Sequence, residues 1–126
     1  MIPLAAVQVK AGDKLRVTCQ YSHRGNAESV TLYAAIGNSG AFGFDEILHG
    51  SKTLSVPEDA SWQFREDYVD ISITSAISPG VYDLYAKIDG LIPKVISPTL
   101  YDVVEVLAAI PESEFGEISI TDYIKV

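Results

Sequence analysis

Apolar and polar residues alternate along most of this chain with a period of two. Between positions 14 and 21, every second residue is apolar: Leu15, Val17, Cys19 and Tyr21. Successive side chains of a β-strand point to opposite faces, so this pattern is typical of an antiparallel strand with one buried face. The same alternation recurs in segments 29–36, 68–74, 81–88 and 100–107. The chain is therefore predicted to be all-β.

Turn residues separate these segments. Ser78-Pro79-Gly80 is a tight-turn signal, and segment 37–44, which contains three glycines, is predicted to be a loop. Weaker strands are expected at 7–10, 46–49 and 51–56, with breaks around His23, at 57–60 (where one helical turn would fit) and between Pro93 and Pro98. Val103, Val104, Leu107 and Ile110 also satisfy helical spacing, but the valine content favours a strand. Seven to eight short strands predict a two-sheet antiparallel β-sandwich.

Two segments carry a resemblance to a known superfamily. The strand containing Cys19 and the segment from Ser78 to Ile88 resemble the second and sixth strands of immunoglobulin-like and fibronectin type III-like sandwiches. Tyr82 matches the tyrosine that lies two residues before the second cysteine of that superfamily, and Leu84 occupies the place of that cysteine. Leu32 stands in the region where a tryptophan is expected.

The chain is thus most similar to the disulfide-free bacterial or phage modules of this superfamily. The resemblance covers roughly residues 5–107, and it implies a fold but no activity. We divide the chain into an immunoglobulin-like sandwich, residues 1–107, and a C-terminal extended segment, residues 108–126, which is an extra strand or an oligomerisation arm.

The charge and cysteine content exclude several classes of protein. Among 126 residues, 17 acidic side chains stand against 9 basic ones, so the net charge is −8 and nucleic acid is not an expected partner. A single cysteine forms no intramolecular disulfide. The first residues do not resemble a signal peptide, and no apolar run reaches about 18 residues, so we expect a soluble protein without a membrane partner. The compartment is left open.

No residue pattern indicates catalysis. His23 and His49 are expected in separate loops, and Cys19 is expected to be an inert core thiol. The acidic residues between positions 45 and 70 lack a calcium-loop spacing and are interpreted as solubilising surface. We therefore expect no enzyme activity, no cofactor and no metal site.

Eight residues are predicted to bind a partner. The alternation turns one set toward the outer face of a sheet: Tyr33, Tyr85, Tyr101 and Val103. The other set lies in the C-terminal segment: Phe115, Ile118, Ile120 and Tyr123. That segment either adds a strand to its own sandwich, pairs with another subunit, or links to a further domain.

Two functions are compatible with these features. The first is a non-catalytic structural or protein-interaction module that forms a homo-oligomer through the outer tyrosine face and the C-terminal segment. The alternative is a carbohydrate-binding module, in which Trp62, Phe42, Phe44 or the outer tyrosines stack on sugar rings.

Overall fold

The computed structural model describes residues 6–90, 93–108 and 113–126, and no helix occurs among them. The described residues form eight strands: β1 (Val7–Val9), β2 (Lys14–Gly25), β3 (Glu28–Gly40), β4 (Gly43–Val56), β5 (Asp59–Ser72), β6 (Gly80–Asp89), β7 (Pro93–Ile96) and β8 (Leu100–Val106).

The strands are arranged in two sheets. The larger sheet has the order β1-β8-β6-β3-β4, and β7 pairs with β6 next to β8. Its neighbours are antiparallel except for β1 and β8, which are parallel. The smaller sheet contains the antiparallel pair β2 and β5. The predicted all-β, two-sheet sandwich is confirmed.

One apolar core fills the space between the sheets. Its largest fully buried side chains come from both sheets: Leu32, Ile36, Ile71, Val69 and Val104. Each stabilises the fold by about 1.5–3 kcal/mol relative to an exposed position. The alternation correctly predicted which residues of β3 and β5 face this core.

The start of β6 is tied to the turn before it. Tyr82 is buried, and its hydroxyl donates a 2.5 Å hydrogen bond to the backbone carbonyl of Ser78. The bond anchors the crossover between β5 and β6.

The sandwich is closed along one side. The backbones of β4 and β5 approach so closely at Gly50 that an added Cβ would lie 2.1 Å from the carbonyl oxygen of Asp70. The edge of β5 is therefore covered by β4 at this point. On the other side, β2 pairs with β5 and with no further strand among the described residues. The β2 edge is open.

The prediction of a loop at 37–44 is wrong. β3 and β4 continue through this segment and meet in a tight hairpin at positions 41–42. The glycines serve the hairpin: Gly43 has a positive φ of 113°, and Gly37 lies at a register shift where a Cβ would collide with the backbone of Asp45. A glycine-rich stretch resembles a loop in sequence even where it forms a hairpin end.

Other boundaries also differ from the predictions, and the largest difference is that of β5, which was predicted at 68–74 and spans Asp59–Ser72. The strands predicted at 46–49 and 51–56 are one strand, β4, because Gly50 is a site of close packing and not a break. The break at 57–60 is shorter than predicted and contains no helical turn, since β5 begins at Asp59. The predicted connection after Pro93 contains the short strand β7.

Candidate functional site

Residues 113–126, here called the C-terminal arm, belong to no strand, and every one of them is exposed. The large apolar side chains of the arm are between 78% and 110% exposed: Phe115, Ile118, Ile120, Tyr123, Ile124 and Val126. The structure thus leaves all four predicted arm residues in water and places none of them on the sandwich. A run of exposed apolar residues of this kind makes the arm a candidate interaction segment.

The arm also has the alternation of a strand. Ile118, Ile120, Ile124 and Val126 occupy even positions, whereas Glu117, Ser119, Thr121 and Lys125 occupy odd ones. In an extended conformation the even residues would form an apolar face. The even face is therefore mostly apolar, interrupted by Asp122, whereas the odd face combines polar residues with Phe115 and Tyr123.

A groove of about 520 Å³ lies between the open edge of β2 and the larger sheet. We call it the β2 groove. It is lined by residues of both sheets, mostly apolar: Cys19, Tyr21, Val30, Leu32, Ala86, Ile88 and Val95. Cys19 and Tyr21 are half-buried and pack against the core. The core is thus accessible from the β2 side of the molecule.

A buried carboxylate lies near one end of the β2 groove. Asp59 accepts a hydrogen bond from Arg65 Nε at 3.0 Å and from Arg65 Nη2 at 2.5 Å, and its Oδ2 lies 2.7 Å from His23 Nδ1. Hydrogen bonds from Arg65 and then His23 hold the pKa of Asp59 below its usual value, although burial opposes this shift. Every oxygen of the carboxylate is engaged, so the cluster anchors the start of β5.

Both histidines lie in strands, so their predicted loop positions are wrong. β2 extends past His23 because this residue pairs with Gln63 of β5 and because its ring contacts Asp59. His49 lies within β4, where its ring stacks on Tyr33 at a centroid distance of 4.9 Å.

The outward positions of β2 carry positive charge. The strand contains Lys14, Arg16 and Arg24, which are three of the nine basic residues, and no acidic residue. All three side chains are exposed. Arg16 is paired with Asp70 of β5, so Lys14 and Arg24 supply the remaining positive charge of this strand.

The predicted outer face of the larger sheet contains Tyr33 and Tyr85, but other side chains already cover part of each ring. The Tyr33 ring stacks on His49, and its centroid lies 4.8 Å from Lys87 Nζ. The Tyr33 hydroxyl donates a hydrogen bond to the Glu46 carboxylate. Burial, followed by the Glu46 contact, raises the pKa of Tyr33 well above its usual value. Tyr85 packs edge-on against Phe44, with centroids 4.7 Å apart. Both tyrosines are half-buried.

The other two predicted residues of this face behave differently from each other. Tyr101 is 66% exposed, whereas Val103 is half-buried and packs against the core. The alternation is interrupted because Asp102 adopts a positive φ of 54° and the register with β6 shifts between Tyr82 and Leu84. The structure therefore does not bring Tyr33, Tyr85, Tyr101 and Val103 together as one exposed patch.

A second aromatic surface lies on the outer face of β5. Trp62 and Phe64 are 60% and 90% exposed, and Tyr68 follows on the same face of the strand. Arg24 lies 4.8 Å from the Trp62 ring centroid, and Arg16 lies 3.9 Å from that of Tyr68. The sequence shows that these aromatic residues all occupy even positions of the strand. It does not show the open groove beside β2, because the groove depends on the order of the strands.

Three features of the ranges that the structure describes bear on their chemistry. No three histidine, cysteine or acidic side chains lie close enough there to hold a metal ion. Likewise, within those ranges no helix has the length and apolar character needed to cross a membrane. Burial raises the pKa of the Cys19 thiol, which reduces its fraction of nucleophilic thiolate.

No protein-family model, curated protein or solved structure matches this chain.

Proposed function

We propose that this chain is a non-catalytic interaction module of the immunoglobulin-like type that assembles with copies of itself through its C-terminal arm. The observation that carries the proposal is the arm itself, with six large apolar side chains that are at least 78% exposed. Leaving that much apolar surface in water is unfavourable, at about 25 cal/mol per Å². Association that buries it is therefore favoured.

The immunoglobulin-like assignment is supported by two features. The strand order β1-β8-β6-β3-β4 opposite β2-β5 has the pattern of such sandwiches, and the hydrogen bond from the Tyr82 hydroxyl to the Ser78 carbonyl resembles their tyrosine corner. Modules of this shape are common carriers of binding surfaces, but the fold alone specifies no partner. The arm supplies the specific surface.

The test is the solution mass of the full chain beside a chain that ends at Ala109, measured by sedimentation. We expect the full chain to be larger than its 13.6 kDa monomer and the shortened chain to be monomeric. Thermal unfolding of the dilute shortened chain should match that of the dilute full chain, because the arm is exposed. A full chain that stays monomeric at all concentrations would contradict the proposal.

Two matched double variants of the arm test whether association requires burial of its apolar side chains or only the presence of the arm. Ile118→Ser with Ile120→Ser removes two apolar side chains and should lower the association constant by at least tenfold. Ser119→Ala with Thr121→Ala alters the neighbouring odd positions and should leave it within about twofold. Equal effects of the two pairs would contradict burial of the even face.

A second candidate is carbohydrate binding, which the exposed pair Trp62 and Phe64 favours. Two aromatic rings on one strand face form a platform on which sugar rings stack. A glycan array tests this function: binding should be lost in Trp62→Ala and retained in Tyr101→Ala. Absence of binding by the unaltered chain would remove this candidate.

A further inference from the structure

We infer that the β2 groove is the receiving site for the C-terminal arm of a second copy, which pairs as an added strand along the open edge of β2. This inference rests on the proposed self-association and names the surface that completes it. Among the described residues the smaller sheet contains two strands. The arm of the partner copy would be its third.

The open edge of β2 supplies unpaired backbone groups. A strand with one neighbour has N–H and C=O groups along its other edge that are available to an incoming chain. β2 is 12 residues long, about 40 Å, and the arm of 14 residues reaches about 46 Å when extended. The arm can therefore cover the whole edge.

The side chains of the arm match the surface beside that edge. With the arm extended, Ile118, Ile120, Ile124 and Val126 point to one side. On that side lie the half-buried Cys19 and Tyr21 and the accessible flank of the core. The insertion places these four apolar side chains, together with Asp122, in a groove of about 520 Å³ that is lined mostly by apolar residues.

Charge favours the same pairing. The arm has three acidic residues and one basic residue, which leaves 3 − 1 = 2 net negative charges. β2 carries no acidic residue, and of its three basic residues Arg16 is already paired with Asp70 of β5, which leaves Lys14 and Arg24 to attract the arm. Attraction between these strands favours β2 over the other strands of an acidic protein.

A second copy fits this site better than the chain's own arm does. β8 ends beside Val9, at the Lys14 end of β2, so an arm from the same chain would enter there and run parallel to β2. An arm from a second copy is free to run antiparallel, which is the more stable pairing. Within one chain the arm is exposed to solvent and does not fill the groove.

Cys19 provides a direct test, because it is the only cysteine and it lines the groove. Single cysteines are introduced into the arm at even positions (Ile118→Cys, Ile120→Cys, Ile124→Cys) and at odd positions (Ser119→Cys, Thr121→Cys). Each full-length variant is oxidised with diamide at alkaline pH, and its products are separated by mass without reductant. Neighbouring strands place facing Cβ atoms within disulfide range.

We expect Cys19-dependent disulfide dimers from at least one even position, at a yield at least tenfold above that from the odd positions. In the Cys19→Ser background this yield should be lost, which separates the groove contact from arm-to-arm coupling. Equal yields at even and odd positions, or an intramolecular disulfide in a monomer, would overturn the inference.

The two proposals can fail separately. If the full chain associates through its arm but forms no Cys19-dependent dimer, the arm docks elsewhere, so the receiving site is wrong and the proposed function stands. If the full chain is monomeric, the proposed function fails as well.

Discussion

At the scale of single residues, Gly50 allows the two sheets to approach closely. Glycine in the middle of a strand is unfavourable by about 0.5–1 kcal/mol relative to alanine. Here the missing Cβ allows the backbone of β4 to approach that of β5, because an added Cβ would lie 2.1 Å from the carbonyl oxygen of Asp70. Close packing offsets the intrinsic cost of the glycine.

Gly50→Ala is therefore expected to destabilise the fold by about 1–3 kcal/mol, the usual range for overpacking a tight site. The measurement is chemical denaturation of the chain that ends at Ala109, which excludes effects of association. Gly40→Ala is the matched control, because its Cβ would lie 3.7 Å from the nearest atom, the carbonyl oxygen of Gly43. Equal free energies of unfolding for the two variants would show that β4 and β5 can move apart at this site without loss of stability.

Side-chain direction was largely predictable at this scale, whereas side-chain contacts were not. The alternation correctly placed Leu32 and Ile36 in the core and turned Tyr33 and Tyr85 away from it. The rings of His49 and Phe44 that cover these tyrosines come from β4. Their positions depend on the register across the hairpin, which a one-residue shift would change completely.

At the scale of strands, sequence signals identified the strong strands and failed where glycine was ambiguous. β6 was predicted with nearly correct ends because β-branched and aromatic residues alternate there, whereas the strand predicted at 68–74 is only the C-terminal part of β5, which begins at Asp59. The hairpin of β3 and β4 was missed because Gly37, Gly40 and Gly43 read as a loop. Glycine marks a bulge, a turn or a close approach, and only the pairing distinguishes them.

Strand order lies beyond what the pattern contains. The alternation of β2 indicates one buried face, but it carries no information on which strands flank it. Pairing with β5 alone leaves its second edge open, and the groove follows from that arrangement. For this reason the arm residues were identifiable from sequence, whereas the site proposed to receive them was not.

At the scale of the whole molecule, the acidic composition affects stability as well as solubility. Asp83 is a buried carboxylate that accepts backbone hydrogen bonds from Asp102 at 2.8 Å and from Ser39 at 3.0 Å. It thereby joins β6 to β8 and to the end of the β3–β4 hairpin. Burial opposes its ionisation, but the hydrogen bonds from Asp102 and Ser39 outweigh burial and lower its pKa.

The pKa values of Asp59 and Asp70 are also below their usual range, chiefly through hydrogen bonds from Arg65 and Arg16, respectively. A carboxyl group with a lower pKa in the folded state binds protons more readily when unfolded. Its stabilising contribution is therefore complete above the unfolded pKa, about 3.9, and is lost as the pH falls through the lower folded value.

The free energy of unfolding of the chain that ends at Ala109 should thus be nearly independent of these groups above about pH 5 and should decrease below about pH 4.

Asp83→Asn should lower stability at neutral pH by about 1–3 kcal/mol, because one amide oxygen replaces two acceptors for buried N–H donors. The same variant should show a shallower loss in acid, since one shifted carboxyl group is absent. Asp45→Asn, at an exposed position of β4, is the control and should retain both the neutral stability and the acid slope. Urea denaturation between pH 7 and pH 2 measures both quantities, and an unchanged acid slope in Asp83→Asn would show that this carboxylate does not link stability to pH.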